Sequence, residues 1–241
     1  MCTVTIIPIG KDDFVLTSNR DEAPDRQSLP PQMYSIQDSQ MMFPKDTLAG
    51  GTWIGVSQKN RMICLLNGGF EYHQRRHDYK QSRGLVVLDL LATQSLSDAI
   101  EDYDLTDVEP FTLVMADWNA GLKFFELVWD GIQKHFQELP KAPRIWSSST
   151  LYTASMKNER QIWFDNYLEN RKVGPHEILE FHHSSHIDNT EYGVVMDRSF
   201  VKTTSITQII KTNDQITMSF EDLQSQQTSS SELILSRSLH E

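Results

Sequence analysis

With 241 residues, 39% of them hydrophobic, the chain can bury the core of one large domain or two small ones. Thirty-three acidic against 22 basic side chains leave a formal net charge of -11, a field that repels phosphate backbones and anionic lipid surfaces and argues against nucleic acid as a partner. Two cysteines, Cys2 and Cys64, are too few for a disulfide framework or a thiolate zinc site, which points to a reducing, cytoplasmic setting.

From the start of the chain, Met1 to Gly10 has neither a basic region nor a long apolar stretch, so neither a signal peptide nor a membrane span is expected there. Thr3 to Ile9 and Phe14 to Thr17 are β-rich runs joined by the polar Gly10-Lys11-Asp12-Asp13, the pattern of a hairpin. Trp53 to Ser57 and Arg61 to Leu66 flank a turn at Gln58-Lys59-Asn60. Phe111 to Ala116 and Leu122 to Trp129 flank another, and Asp130-Gly131 leads on into Gln133 to Leu139. Helical patterns lie between these groups, at Leu85 to Leu91, Leu96 to Tyr103, Met156 to Asn170 and, opened by Pro175, through Phe181. Strands return at Tyr192 to Met196, Phe200 to Ile210 and Gln215 to Phe220. Strands, helices, strands, helices, strands is the order of an α+β layered sandwich, read as one domain over 1–220. The remaining 221–241 reads as a polar spacer, low in complexity from Gln224 to Ser231, ending in a short tail from Leu233 to Leu239.

Chemistry concentrates near the first strand. Removal of Met1 would place the Cys2 thiol and a free α-amine on one carbon skeleton, and because the amine titrates at about 7.7 to 8.0 and the thiol at about 8.5, the amine can take the thiol's proton near neutral pH. Nucleophile and general base then come from one residue. The plainer alternative is a small residue opening a strand. The first hairpin returns the chain beside its own start, carrying Asn19-Arg20-Asp21-Glu22 with it. There Asp21 can orient the amine, while Arg20 can favour the thiolate or hold a substrate anion; the alternative is a solvated turn with surface ion pairs.

Met1-Cys2, Asn19-Arg20-Asp21-Glu22 and Gly50-Gly51-Thr52-Trp53-Ile54-Gly55-Val56, in that order and spacing, resemble the NRDE family, also called the transport and Golgi organisation protein 2 family. That family is similar to the N-terminal-nucleophile hydrolases, whose fold is a four-layer αββα sandwich and whose cysteine members cleave linear amides. The resemblance implies Cys2 as nucleophile, Asp21 as its orienting carboxylate, Arg20 as a neighbour and Asn67 as the oxyanion-hole amide. It further implies Asn19, Glu22, Gly68 and Ser148 as substrate contacts, with Gly68 and Gly69 allowing close backbone approach. No metal or cofactor is required. The chain departs from the family pattern at Gly68-Gly69, at Trp146-Ser147-Ser148 and at Leu151-Tyr152. Two functions follow as expectations: hydrolysis of a small-molecule amide, or carriage of a hydrophobic ligand such as haem or an acyl lipid on the same scaffold.

Other polar clusters carry weaker signals. His182, His183 and His186 follow Glu180 near a helix end, without the third-ligand spacing of a metal site. His73 and His77, with Arg75 and Arg76, read as a solvated basic loop without a haem attachment motif. Cys64 sits in the apolar Met62-Ile63-Cys64-Leu65 and reads as a packing residue.

Overall fold

The computed structural model describes residues 3–76, 78–169 and 171–235. Cys2, His77, Asn170 and the end of the expected tail lie outside the described residues. The first hairpin forms from β1 (Thr3–Pro8) and β2 (Phe14–Glu22), and β2 runs on past Thr17, so Asn19-Arg20-Asp21-Glu22 is strand rather than turn. Next come β3 (Ser28–Ile36) and β4 (Ser39–Asp46), a hairpin absent from the sequence expectation. Pro30 and Pro31 hide it, since proline cannot donate to a ladder; they are accommodated on a sheet edge, where the register shifts between Leu29 and Gln32. Gln37 and Asp38, both at positive φ (48° and 58°), make its tight turn without glycine.

The expected elements follow: β5 (Ile54–Ser57), β6 (Arg61–Asn67), α1 (Arg83–Ala92), α2 (Leu96–Asp102), β7 (Phe111–Asp117), β8 (Lys123–Trp129) and β9 (Lys134–Leu139). A short unexpected strand, β10 (Arg144–Ser147), precedes α3 (Ala154–Leu168) and α4 (Pro175–Ser184). The chain closes with β11 (Lys202–Thr212), β12 (Gln215–Asp222) and β13 (Gln227–Ile234). The last of these corrects the polar spacer: Gln227 to Ile234 pairs with β12 along its whole length. Its Thr-Ser-Ser-Ser composition suits a half-exposed edge strand, and ladder bonds come from the backbone whatever the side chains are.

All strand pairs are antiparallel, in a six-stranded sheet of order β10-β1-β2-β11-β12-β13 and a seven-stranded sheet running β3 through β9 in sequence. α1 packs on β5 and β6, while α3 and α4 pack on β10, β2 and β11, which gives the expected α+β sandwich of helices, two sheets and helices. β1 serves both interfaces by alternation: Val4 and Ile6 enter the core between the sheets, and Ile7 joins Val15, Ile145, Phe164, Ile178, Phe181 and Val194 beneath α3 and α4. Fully burying each such side chain is worth about 1.5 to 3 kcal/mol. Among the described residues no helix is long and apolar enough to cross a membrane.

Tyr192 to Met196, expected as a strand, forms none. Three of its carbonyls are taken by side chains instead of a ladder: Arg160 donates to Tyr192 (2.9 Å) and Gly193 (2.6 Å), and Asn19 to Val194 (2.8 Å). Asn19 Nδ2 also donates to the His182 carbonyl (3.1 Å), which leaves Asn19 Oδ1 to accept from His182 Nδ1 (2.7 Å). His182 Nε2 then accepts from the Thr5 hydroxyl (2.8 Å), and the imidazole is neutral.

Burial, with the positive neighbours His183 and Arg160, pushes the His182 pKa down to about 3. The unfolded chain takes up this proton near pH 6.5 and the folded chain only near 3, so the unfolded state holds more protons between the two and stability falls as pH falls, by up to about 1.4 kcal/mol per pH unit. Urea midpoints measured from pH 7.5 to 5.5 are expected to drop, and to drop less steeply in His182→Gln. An equal slope in the variant would refute the assignment. Burial likewise pushes the Cys64 thiol up to about 12. Cys64 is therefore expected to resist iodoacetamide at pH 8 until denaturant is added, as peptide mass mapping would show.

Candidate active site

Alternation along β2 sends neighbouring residues to opposite faces of its sheet. Arg20 turns between the sheets: its Nη2 donates to Asp46 Oδ2 (3.1 Å), its Nη1 to the Arg26 carbonyl (3.1 Å) and to Thr204 Oγ1 (3.2 Å), and its guanidinium lies 4.7 Å from the Trp53 ring. Asp46 begins a tight turn, with Oδ1 accepting from the N–H groups of Leu48 (3.1 Å) and Ala49 (2.8 Å) and Oδ2 also accepting from Arg26 Nε (2.8 Å). Burial works to raise the Asp46 carboxyl, but the Ala49 N–H and the guanidiniums of Arg26 and Arg20 outweigh it and hold the group below the usual carboxylate range.

Asp21 turns the other way. Its Oδ2 accepts from the Tyr152 hydroxyl (2.7 Å) and its Oδ1 from Thr203 Oγ1 (2.6 Å), at 2% exposure. Tyr152 itself lies between two cations, Arg160 at 3.7 Å and Arg198 at 5.5 Å from its ring centroid. The buried Arg160 reaches on to the first described residue: Nη1 donates to Thr3 Oγ1 (2.7 Å) and to Ser147 Oγ (3.2 Å). Thr3 pairs with Asn19 of β2 on one side and Ser147 of β10 on the other. The described chain thus starts in the interior of a sheet, at the end where Arg20 and Asp21 stand.

Across the sandwich, Asn67 ends β6 and Gly68 turns the chain at φ +86°, a conformation that favours glycine. A Cβ at Gly68 would also sit 3.1 Å from the side chains of Ser149 and Thr150. That closeness lets the segment after β10 dock here: Ser148 Oγ donates to the Asn67 carbonyl (2.7 Å) and Ser149 Oγ to the Gly69 carbonyl (2.5 Å). Asn67, Arg20, Glu22, Arg26, Trp53 and Arg83 line one small, open cleft.

Of the expected site residues, Arg20, Glu22 and Asn67 therefore share a cleft, with Gly68 and Ser148 packed against Asn67. Glu22 is engaged with Arg26 (3.3 Å) at its rim. Asn19 stands apart as a fully buried tie between β2 and α4, its amide consumed by backbone and His182, so it does not face the cleft. The three histidines diverge as well: His182 is buried, His183 pairs with Glu221 (2.9 Å), and His186 stacks on Trp163 at 3.8 Å. His73 and Arg75 of the basic loop and Arg83 at the start of α1 converge on Glu109, at 3.3, 3.7 and 3.2 Å.

Tyr152, Thr203 and Arg160 were not legible as site residues. The nearest signal is Leu151-Tyr152, a departure from the family pattern; Tyr152 lies 131 positions and Thr203 182 positions from Asp21 in sequence.

Solved structures show where this architecture recurs. The N-acylethanolamine-hydrolyzing acid amidase ortholog of Caenorhabditis elegans is similar with a TM-score of 0.60 at 13% identity, over 86% of this chain and 92% of that one. A variant of conjugated bile acid hydrolase from Clostridium perfringens is similar with a TM-score of 0.55 at 9% identity, over 100% of both chains. Penicillin V acylase from Agrobacterium tumefaciens gives 0.53 at 10% identity, over 95% of this chain and 85% of that one. These likenesses show the fold of the N-terminal-nucleophile hydrolases. A comparison with curated proteins gives no match. The family model described as Transport and Golgi organisation 2 matches residues 1–236, and the chain belongs to that family.

Proposed function

We propose that the chain is a cysteine-type N-terminal-nucleophile amidohydrolase acting on a linear C–N bond of a small molecule, with Cys2 as nucleophile once Met1 is removed. The observation that carries the reading is Asp21: a carboxylate buried at the sheet end where β1 starts, its two oxygens held by Tyr152 and Thr203. A buried carboxylate costs several kcal/mol unless it is paired or hydrogen-bonded, and an α-ammonium is a fitting partner. The fold shared with an acid amidase, a conjugated bile acid hydrolase and a penicillin V acylase supports an amide of a small molecule as the substrate class. Two cysteines and the acidic composition support a cytoplasmic setting.

In this reading the α-amine of Cys2 takes the thiol proton and the thiolate attacks the amide carbonyl. Negative charge develops on the carbonyl oxygen and is met by the Asn67 side-chain amide, a donor worth about 3 kcal/mol to the transition state. The ammonium gives its proton to the departing nitrogen, the C–N bond breaks, and an acyl-thioester remains on Cys2. Water, deprotonated by the same amine, then releases the acid and restores the thiol. Asp21 orients the amine throughout, and Arg20 favours the thiolate form.

Intact mass is expected to lack Met1, and incubation with a panel of N-acyl amides to add an acyl mass to Cys2 but not to Cys64. Retained Met1, or turnover that survives Cys2→Ala, would overturn the proposal. Asn67→Ala is expected to slow acylation by about 100-fold with little change in KM. Tyr152→Phe, which removes one hydrogen bond to Asp21, is expected to slow it about tenfold. Stopped-time mass spectrometry of the acyl-enzyme reads both.

A further inference from the structure

A strand at the edge of a sheet leaves the N–H and C=O groups of alternate residues without a ladder partner, and folded chains keep such edges short, interrupted or covered. Among the described residues the two sheets have four edges, at β3, β9, β10 and β13. Three are blunted. β10 has only four residues, β3 is interrupted at Pro30 and Pro31 where its register shifts, and β3 and β13 pack on each other, with Ser231 Oγ donating to the Pro31 carbonyl (3.0 Å). β9 has none of these devices: its six residues keep an unbroken register with β8, from Lys134 opposite Trp129 to Leu139 opposite Phe124, and Pro140 comes only after the last of them.

The turn before β9 fixes which groups face outward. Asp130 N–H donates to the Gln133 carbonyl (3.3 Å), so those two form a hydrogen-bonded pair, and antiparallel alternation makes His135, Gln137 and Leu139 the β9 residues bonded to β8. The N–H and C=O groups of Lys134, Phe136 and Glu138 therefore point to the open side. Their side chains share one face, where the half-buried Phe136 ring stacks on Phe125 at 5.3 Å and Glu138 meets Lys123 at 2.9 Å.

A second copy of the same strand is the complement of this edge. Laid antiparallel about a twofold axis at Phe136, it brings Lys134 of each copy opposite Glu138 of the other and Phe136 opposite Phe136, and this register uses every outward N–H and C=O of both strands. Glu138 then lies between two ammonium groups, its own Lys123 and Lys134 of the second copy. Ile132 at the hairpin tip, 82% exposed, comes opposite Pro140 of the second copy. We infer that the chain forms a twofold homodimer through β9, joining the seven-stranded sheets of two copies into one continuous sheet. Twofold antiparallel pairing consumes both edges, so the assembly closes at two copies.

One short strand buries less surface than a standard interface, so the dimer is expected to assemble with concentration between about 1 µM and 1 mM. Sedimentation equilibrium of the full chain is expected to show the mass rising from 27.8 kDa toward twice that value. Amide exchange followed by NMR reads the register: Lys134, Phe136 and Glu138 are expected to gain protection as concentration rises, whereas His135 and Gln137 are protected throughout. Glu138→Pro, which removes one outward N–H and no bond to β8, is expected to keep the wild-type far-UV spectrum and remain a monomer. Glu138→Gln, which keeps that N–H, is expected to weaken the dimer by at most about fivefold. A wild-type chain that stays monomeric throughout, a dimer in which those three amides gain no protection, or a folded Glu138→Pro that dimerises like wild type would overturn the inference. Should Glu138→Pro fail to fold, the exchange pattern of the wild-type chain decides.

Discussion

Three consecutive polar side chains, Asn19, Arg20 and Asp21, are buried in the strand that lies at the middle of the sandwich. Removing such groups from water costs several kcal/mol each unless their hydrogen-bonding capacity is met inside the protein, so each must recruit partners from elsewhere. Asn19 draws α4 onto the sheet through His182. Arg20 draws in the turn after β4 through Asp46. Asp21 draws in β11 through Thr203 and the segment after β10 through Tyr152. Most of the long-range order at this end of the molecule follows from meeting those three demands.

Because alternation puts Arg20 and Asp21 on opposite faces, the start of β1 is served from both sides of its sheet. One face offers a guanidinium and an aromatic ring, the other a carboxylate held by two hydroxyls. Arg160 locks the arrangement by bonding Thr3, Ser147 and two carbonyls of the non-strand segment before β11. A buried arginine with four hydrogen bonds made and a ring against its face is rigid, and it holds the start of β1 in place.

Electrostatic compensation sets the character of the cleft. On the Arg20 side arginines and carboxylates alternate within hydrogen-bonding distance, so that cleft is polar yet close to neutral.

Periodicity and turn chemistry alone carried the central strands, the four helices and the layered α+β class, because long apolar alternation and a proline-opened helix are local signals. The motifs at Asn19 to Glu22 and Gly50 to Val56 carried the family. Elements whose signals are not local escaped: β3 behind Pro30 and Pro31, β10 in four residues, and β13 in a serine-rich run that pairs only because β12 offers it an open edge. Tyr192 to Met196 had the composition of a strand, and lost that state when Arg160 and Asn19 claimed its carbonyls. Chemistry divides in the same way. Which residue types stand near the first strand is a matter of covalent order, whereas the partners of Asp21 and the neutral tautomer of His182 depend on groups far away in sequence, which only the packing of two sheets and four helices brings within bonding distance.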